Sequence, residues 1–314
     1  MKVLVTGASG FIGSSLIQYM NSLNKFELVP LVRKLPEYLN EWMEKFHLLE
    51  CDIIDFESLS RHVPKDIDAI VHLAACNDVD TKEDPLQALV TNTFGTRNVL
   101  KLSTELGIDH VIYFSVLQVY GREMDGHYTI DSPVVCDNDY SLNHFAAEEY
   151  CKMYSMNFDL NTSIIRLGYA FGCPVDKGVN RWTIVPEAFC LSAYNKGKIV
   201  LKSSGKSVRD FVPLSYISQS VAHLLENPQL GFSLYNLTSE VVIPIIDTAM
   251  MAGEIGERVL KRKINLIIKG NEPKVSNNFI AKNNLLGPIK KKNVIETMKN
   301  ELEKTFFMLN GESQ

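Results

Sequence analysis

Tyr140 and His144 stand four positions apart in YSLNHFAAEEY, a stretch patterned as a helix. Residues at that spacing share one helix face. A phenol with its ordinary pKa of about 10 is ionised in roughly one molecule in a thousand at neutral pH, so Tyr140 becomes a base only if a neighbour stabilises its phenolate. Imidazole, with an ordinary pKa of about 6.5, supplies that charge only if its own pKa is raised. A neutral ring offers instead a proton relay or a plain polar contact. Ser115 and Val116 end an apolar run just upstream. Neighbouring side chains in a strand face opposite ways, so only one of the two can look toward a given site unless the strand bulges.

The elements that must hold these residues are legible as alternating patterns. Strand-length apolar runs occur at Lys2 to Thr6, Leu28 to Val32, His47 to Leu49, Ala69 to Leu73, His110 to Ser115 and Thr162 to Leu167, with amphipathic, helix-length stretches between them. That alternation predicts an α/β protein whose parallel sheet is covered by helices on both faces. From about residue 171 glycines and prolines loosen the pattern. Strands return at Val208 to Val212 and Leu234 to Leu237. The expectation is two interwoven regions, residues 1–170 plus about 211–237, and about 171–210 plus 238–314.

Composition limits the partners. A chain of 314 residues with 46% hydrophobic residues can bury a full core, and a net charge of -5 gives no basic footprint for nucleic acid. The opening MKVLVTGASG reaches glycine too soon for a signal sequence, and no run of eighteen apolar residues occurs, so a soluble, cytoplasmic protein is expected. Six cysteines without a C-x-x-C pair argue against both zinc and disulfides. No metal site is expected. His72 reads as a buried strand residue, while His110, His127 and His223 lack partners at ligand spacing. Asp78 and Asp80 read as helix caps or as lining of a cleft.

Directly after the first strand comes Thr6-Gly7-Ala8-Ser9-Gly10-Phe11-Ile12-Gly13, then a helix-length pattern through Met20. Glycines here permit a tight turn and close approach of the main chain to a pyrophosphate, and a helix N-terminus supplies N–H groups and a favourable dipole. The second strand ends in Arg33-Lys34. An acidic residue there would bind the adenosine ribose, whereas Arg33 suits a 2′-phosphate, so NADP is favoured over NAD.

With these segments in order, the chain resembles the extended short-chain dehydrogenase/reductase family of NAD(P)-dependent nucleotide-sugar epimerases, dehydratases and reductases. The resemblance runs over residues 1 to about 240. Besides TGASGFIG it includes Cys51-Asp52-Ile53, Val71 to Ala75, Thr91 to Thr96, Phe114 to Gly121, Arg166 to Gly172 and Arg209 to Val212. It implies a Rossmann-type doubly wound sheet with a smaller, interwoven C-terminal α/β substrate domain, and a homodimer through the helices Pro85 to Leu106 and Asp139 to Met156. The cofactor contacts it implies are Gly7, Ser9, Gly10, Phe11, Ile12, Gly13, Arg33, Asp52, Ile53, Leu73, Ala74, Ala75 and Asn92, with Tyr140 and His144. The implied substrate contacts are Asp78, Val116, Tyr169 and Arg209, the last on the diphosphate.

Three positions depart from the pattern. The family places a lysine four residues after its catalytic tyrosine, where this chain has His144, a serine or threonine where it has Val116, and in many members a substrate-contacting asparagine where it has Tyr169. Ser115 is one residue from Val116. One reading is an active enzyme on a nucleotide-activated sugar, with Tyr140 as acid/base, His144 assisting and Ser115 standing in. The other is a binding or regulatory protein that holds a dinucleotide or nucleotide sugar without turnover.

Overall fold

The computed structural model describes residues 1–36, 38, 45–179, 181–270 and 278–311. The chain forms two compact units. The first comprises Met1–Arg122, Ile130–Leu167 and Ser218–Asn236, and the second Glu123–Thr129, Gly168–Ile217 and Leu237–Gln314.

Numbered along the whole chain, the strands centred on the first unit are β1 (Lys2–Thr6), β2 (Glu27–Val32), β3 (Leu49–Glu50), β4 (Ala69–His72), β5 (His110–Val116), β7 (Asn161–Leu167) and β11 (Phe232–Leu237). They form one seven-stranded sheet in the order β11-β7-β5-β4-β1-β2-β3. The pairings from β3 across to β7 are parallel. Strand order reverses between β1 and β4, so the first unit is a Rossmann-type doubly wound sheet whose switch point lies at the C-terminal ends of those two strands. Val3, Leu4 and Val5 are each no more than 1% exposed. A strand covered on both faces needs such an unbroken apolar run.

Helices α1 (Phe11–Ser22), α2 (Phe56–His62), α3 (Asp78–Glu83), α4 (Pro85–Leu89), α5 (Thr96–Leu106) and α6 (Asp139–Phe158) belong to this unit, and α8 (Leu214–Glu226) joins it from Ser218. The single helix expected over Pro85 to Leu106 is α4 and α5 joined by a π-helical stretch, Val90–Gly95. Its wider turn has no signature in apolar spacing. Such stretches are frequent at functional sites, and this one carries Asn92. Asn138 caps α6 by accepting the Ser141 N–H at 3.1 Å, which fixes Tyr140 in the first helical turn.

The second unit contains β8 (Tyr169–Phe171), β10 (Val208–Pro213) and β12 (Val242–Pro244) in one small sheet, and the pairs β9 (Lys198–Leu201) with β13 (Asn265–Ile268) and β6 (Gly126–Tyr128) with β14 (Phe279–Ala281). Helices α7 (Glu187–Lys196), α9 (Ile245–Leu260) and α10 (Lys291–Asn310) enclose a core in which Phe171, Phe211 and Phe306 are fully buried. Each such ring contributes on the order of 1.5–3 kcal/mol of burial free energy. The unit boundaries differ from the expected ones in three places. Glu123–Thr129 falls in the second unit because β6 pairs with β14, and residues 168–170 and 211–217 fall there because β8 and β10 pair with each other and β10 with β12. Among the described residues no helix is long and apolar enough to cross a membrane, and no cluster of side chains could hold a metal ion.

Candidate active site

The turn after β1 is built for close approach. Gly7 has φ +67, and a Cβ there would lie 2.7 Å from the Ala74 nitrogen; one on Gly13 would lie 2.3 Å from the Gly7 carbonyl oxygen. Gly10 is the N-cap of α1 with no side-chain cap, and the first turn holds no acidic residue. Uncapped N–H groups at a helix N-terminus, beside a switch point and between glycines that admit no side chain, fit the pyrophosphate of a dinucleotide. The Tyr38 hydroxyl donates to the Ser9 carbonyl at 2.5 Å and braces this turn. Phe11 is buried and Ile12 half-buried on the same helix.

Across the switch point, the Leu73 and Ala74 N–H groups donate to Thr6 Oγ1 at 3.2 Å each. With its oxygen thus occupied, Thr6 donates its own proton to His72 Nδ1 at 2.7 Å. His72 Nε2–H then donates to Thr96 Oγ1 at 3.0 Å, and Thr96 donates to the Asn92 carbonyl at 2.6 Å. His72 is therefore structural. Burial lowers its pKa to about 3. Both ends of the Asn92 amide are engaged by the main chain of Cys76, at 2.7 and 3.1 Å. Asn92 thus shapes the loop that follows Leu73, Ala74 and Ala75, the structural role the family resemblance gives it. Asp52 accepts the Ile54 N–H at 3.1 Å, and the Ile53 carbonyl receives Asn98 at 3.0 Å, so this turn too is held by its own neighbours. Arg33 is exposed at the end of β2.

Three expectations meet corrections here. Asp78 is not a cap but pairs with Lys82 at 2.5 Å on α3, whereas Asp80 does complete the capping box of that helix with Asn77, as expected of it. Ser115 donates to Glu148 Oε1 at 2.5 Å and is 2% exposed. Glu148 is held by Arg166, whose Nη2 lies 2.7 Å from Oε2, and Arg166 Nη1 donates to the Tyr120 hydroxyl at 2.9 Å. The serine is committed to a buried ion pair. β5 runs without a bulge through its register with β7, so Val116 takes the opposite face and places a methyl group where a hydroxyl was expected.

His144 is the third correction. It is 3% exposed, and burial lowers its pKa to about 4, so it is neutral at physiological pH and provides no cation. Its Nδ1 lies 2.8 Å from the Tyr113 hydroxyl, while its Nε2 is buried without a hydrogen-bond partner. The ring meets that of Tyr140 edge-on, with centroids 4.8 Å apart at 79°. The helix spacing therefore does bring the two side chains together, as their separation by one turn implied.

In the second unit Phe211 of β10 pairs with Tyr169 of β8, which sets Arg209 diagonally beside Tyr169. The guanidinium carbon is 4.9 Å from the centre of the phenol ring. The next residue, Asp210, is fully buried; burial raises its pKa to about 7 despite the Ser239 N–H and hydroxyl on Oδ1. Tyr113, Glu148 and Thr96 were not anticipated as parts of the site. Their signal was present: alternation puts Tyr113 and Ser115 on one face of β5, and helical spacing puts His144 and Glu148 on one face of α6.

Sequence comparison agrees with this architecture. The profile of the NAD dependent epimerase/dehydratase family matches residues 3–237. The low-salt glycan biosynthesis protein Agl12 of Haloferax volcanii is 30% identical over 260 residues, 79% of this chain and 80% of that protein. The human dTDP-D-glucose 4,6-dehydratase is 26% identical over 79% of this chain and 72% of its own. Among solved structures, the UDP-glucose 4-epimerase of Thermotoga maritima, determined with UDP-glucose, superposes with a TM-score of 0.81 at 18% identity over 99% of both chains. The UDP-glucuronic acid 4-epimerase of Bacillus cereus, determined with UDP-glucuronic acid and NAD, gives 0.77 at 20% identity over 99% of both chains. The chain belongs to the NAD-dependent epimerase/dehydratase family, within the extended short-chain dehydrogenases/reductases.

Proposed function

We propose that the protein is an NAD(P)-dependent oxidoreductase or epimerase of a nucleotide-activated sugar, with Tyr140 as its acid/base. The observation that carries this reading is Tyr140 fixed in the first turn of α6 by the Asn138 cap, in ring contact with His144. The glycine turn after β1 is the proposed pyrophosphate cradle, and Arg33 suits a 2′-phosphate, which favours NADP. A bound nicotinamide supplies the hydride acceptor. Tyr140 takes the proton of the sugar carbinol as its C–H hydride leaves, and returns that proton when the ketone is reduced; reduction from the opposite face is epimerisation. Dehydration needs a second acid/base pair. The turn after β5, Leu117–Tyr120, carries no carboxylate. Arg209, stacked on Tyr169, is proposed to take the substrate's diphosphate. The nucleotide sugars for which the relatives and structural neighbours are named support a nucleotide-sugar substrate.

One combination of observations favours a second reading, a binding protein without turnover. His144 is neutral, and Val116 offers no hydroxyl. The two readings separate when purified protein is mixed with NAD or NADP and a panel of nucleotide sugars. Growth of the near-ultraviolet absorbance of reduced nicotinamide with any sugar supports the enzyme; saturable binding with a flat absorbance across the panel supports the binder.

A homodimer in the cytoplasm is part of the proposal. Leu86 and Met156, each 71% exposed, with Leu142 at 52%, give the α4 and α6 surfaces exposed apolar positions suited to a second copy. Sedimentation should show a dimer that Met156→Asp weakens; a wild-type monomer rejects this part.

A further inference from the structure

We propose that Tyr113 is a positioning residue: it holds His144 as the Nε2–H tautomer, so that a neutral imidazole donates a hydrogen bond to the phenolate oxygen of Tyr140. This rests on Tyr140 being the acid/base.

The tautomer follows from where the protons of the surrounding network go. Thr96 has given its proton to the Asn92 carbonyl, and its oxygen receives His72 Nε2–H. Tyr113 meets His144 Nδ1 at 2.8 Å and also hydrogen-bonds Thr96, whose hydroxyl oxygen is the weaker acceptor of the two and already takes His72 Nε2–H. Between a phenol and an imidazole nitrogen, the phenol is the better donor and the nitrogen the better acceptor. Tyr113 therefore gives its proton to Nδ1, and the proton of His144 resides on Nε2. The orientation is held mechanically as well. The Tyr113 ring lies between His72 at 5.6 Å and His144 at 6.2 Å, tilted by 32° and 30°.

Nε2–H is thus a buried donor with no partner. Buried donors are rarely left unmet unless something else comes to meet them. The ring it belongs to touches Tyr140. A charged imidazole is disfavoured by burial, for the ring is 3% exposed and has no carboxylate among its contacts with the described residues. A relay through the ring is disfavoured as well. Passing the Nε2 proton on would draw the Tyr113 proton to Nδ1 and leave a buried phenolate, and burial pushes the Tyr113 phenol well above its ordinary pKa. Donation is the chemistry left to His144, and it substitutes a hydrogen bond for the ammonium charge.

Two measurements test this. Nitrogen-15 spectra of the wild-type protein, with His144 assigned by its loss in His144→Gln, should show a pyrrole-type Nε2 and a pyridine-type Nδ1 at neutral pH. Tyr113→Phe, which keeps the ring, should shift His144 to a mixture of tautomers. A wild-type Nδ1–H tautomer, or no change in Tyr113→Phe, overturns the proposal. The second measurement exploits side-chain geometry: a glutamine amide nitrogen falls near the place of Nε2, and an asparagine nitrogen near that of Nδ1. Spectroscopic titration of Tyr140, by difference against Tyr140→Phe, should show a phenol pKa about one unit higher in His144→Asn than in His144→Gln. Equal titrations overturn it. Both readouts are taken without sugar, so they decide on Tyr113 even if no nucleotide sugar is turned over.

Discussion

The two units bury titratable groups of opposite kinds. In the first, His72, His110 and His144 are driven to pKa values of about 3, 4 and 4 by burial. In the second, Glu187 and Asp210 are driven up to about 8 and 7 by burial, and each keeps one oxygen without a hydrogen-bond partner. The common rule is that a buried group discards its charge when no counter-charge is at hand. The exception is instructive: Glu148 lies against Arg166 at 2.7 Å, and that pair retains complementary charges. The first unit spends its polar interior on connected networks around the candidate site, while the second leaves two carboxyls sparsely supported. Catalytic precision is therefore expected of the first unit, and pH sensitivity of a different sign from each.

The strongest test of the first half of that contrast is Tyr140→Phe. Loss of a general acid/base lowers kcat by about a thousandfold, or about 4 kcal/mol in the barrier, and should leave cofactor affinity nearly intact. Stopped-flow absorbance together with equilibrium cofactor binding measures both. A variant that loses both equally would make Tyr140 a cofactor ligand with no separate chemical role.

Next in size is the pH response. A histidine with a lowered folded pKa takes up its proton more readily when unfolded. The stability tied to His144 is therefore complete above about pH 6.5 and is lost as pH falls toward about 4, by about 3 kcal/mol. Glu187 runs the other way. Its contribution is complete below its ordinary pKa of 4.5 and is lost as pH rises toward about 8, reaching about 3 kcal/mol by neutral pH. Hydrogen exchange followed unit by unit should show amides of β5 and α6 opening in acid, and those of α7 and β8 opening as pH rises. Glu187→Gln should shrink the second response to the part that Asp210 contributes and leave the first unchanged. If both units loosen at the same end of the scale, the contrast fails.

The units also differed in how well they could be read. In the first, β1, β2, β4, β5 and β7 lie within a residue of the apolar runs that marked them, because a doubly covered parallel strand has to be continuously apolar. In the second, β6, β8, β12 and β14 are three residues long, too short for a period to show. The site was legible in residue types and less so in direction. Spacing alone brought Tyr140 to His144, and alternation already warned that Ser115 faces away from Val116. That His144 would be buried against Tyr113 required knowing which strand lies beneath α6, a long-range fact that no local pattern holds.

A smaller effect is expected from Arg209→Ala. If chemistry belongs to the first unit and grip on the diphosphate to this arginine, KM for the nucleotide sugar should rise about ten- to a hundredfold, the worth of one charged hydrogen-bonding group, with kcat within a few-fold. Comparable losses in kcat would show that Arg209 also orients the reacting carbon.

The smallest change expected is a gain. Val116 closes β5 half-buried, on the face opposite Ser115, and threonine matches valine in shape while adding a hydroxyl. If an oriented donor is what the site lacks, Val116→Thr should raise kcat by about tenfold, some 1.4 kcal/mol, less than an oxyanion donor contributes in a site evolved around it. The gain should disappear when Tyr140→Phe is added, because the hydroxyl and the phenol would act on the same carbinol oxygen. A gain that survives in the double variant would mean that residue 116 works through packing, and the chemistry assigned to the C-terminal end of β5 would have to be placed elsewhere.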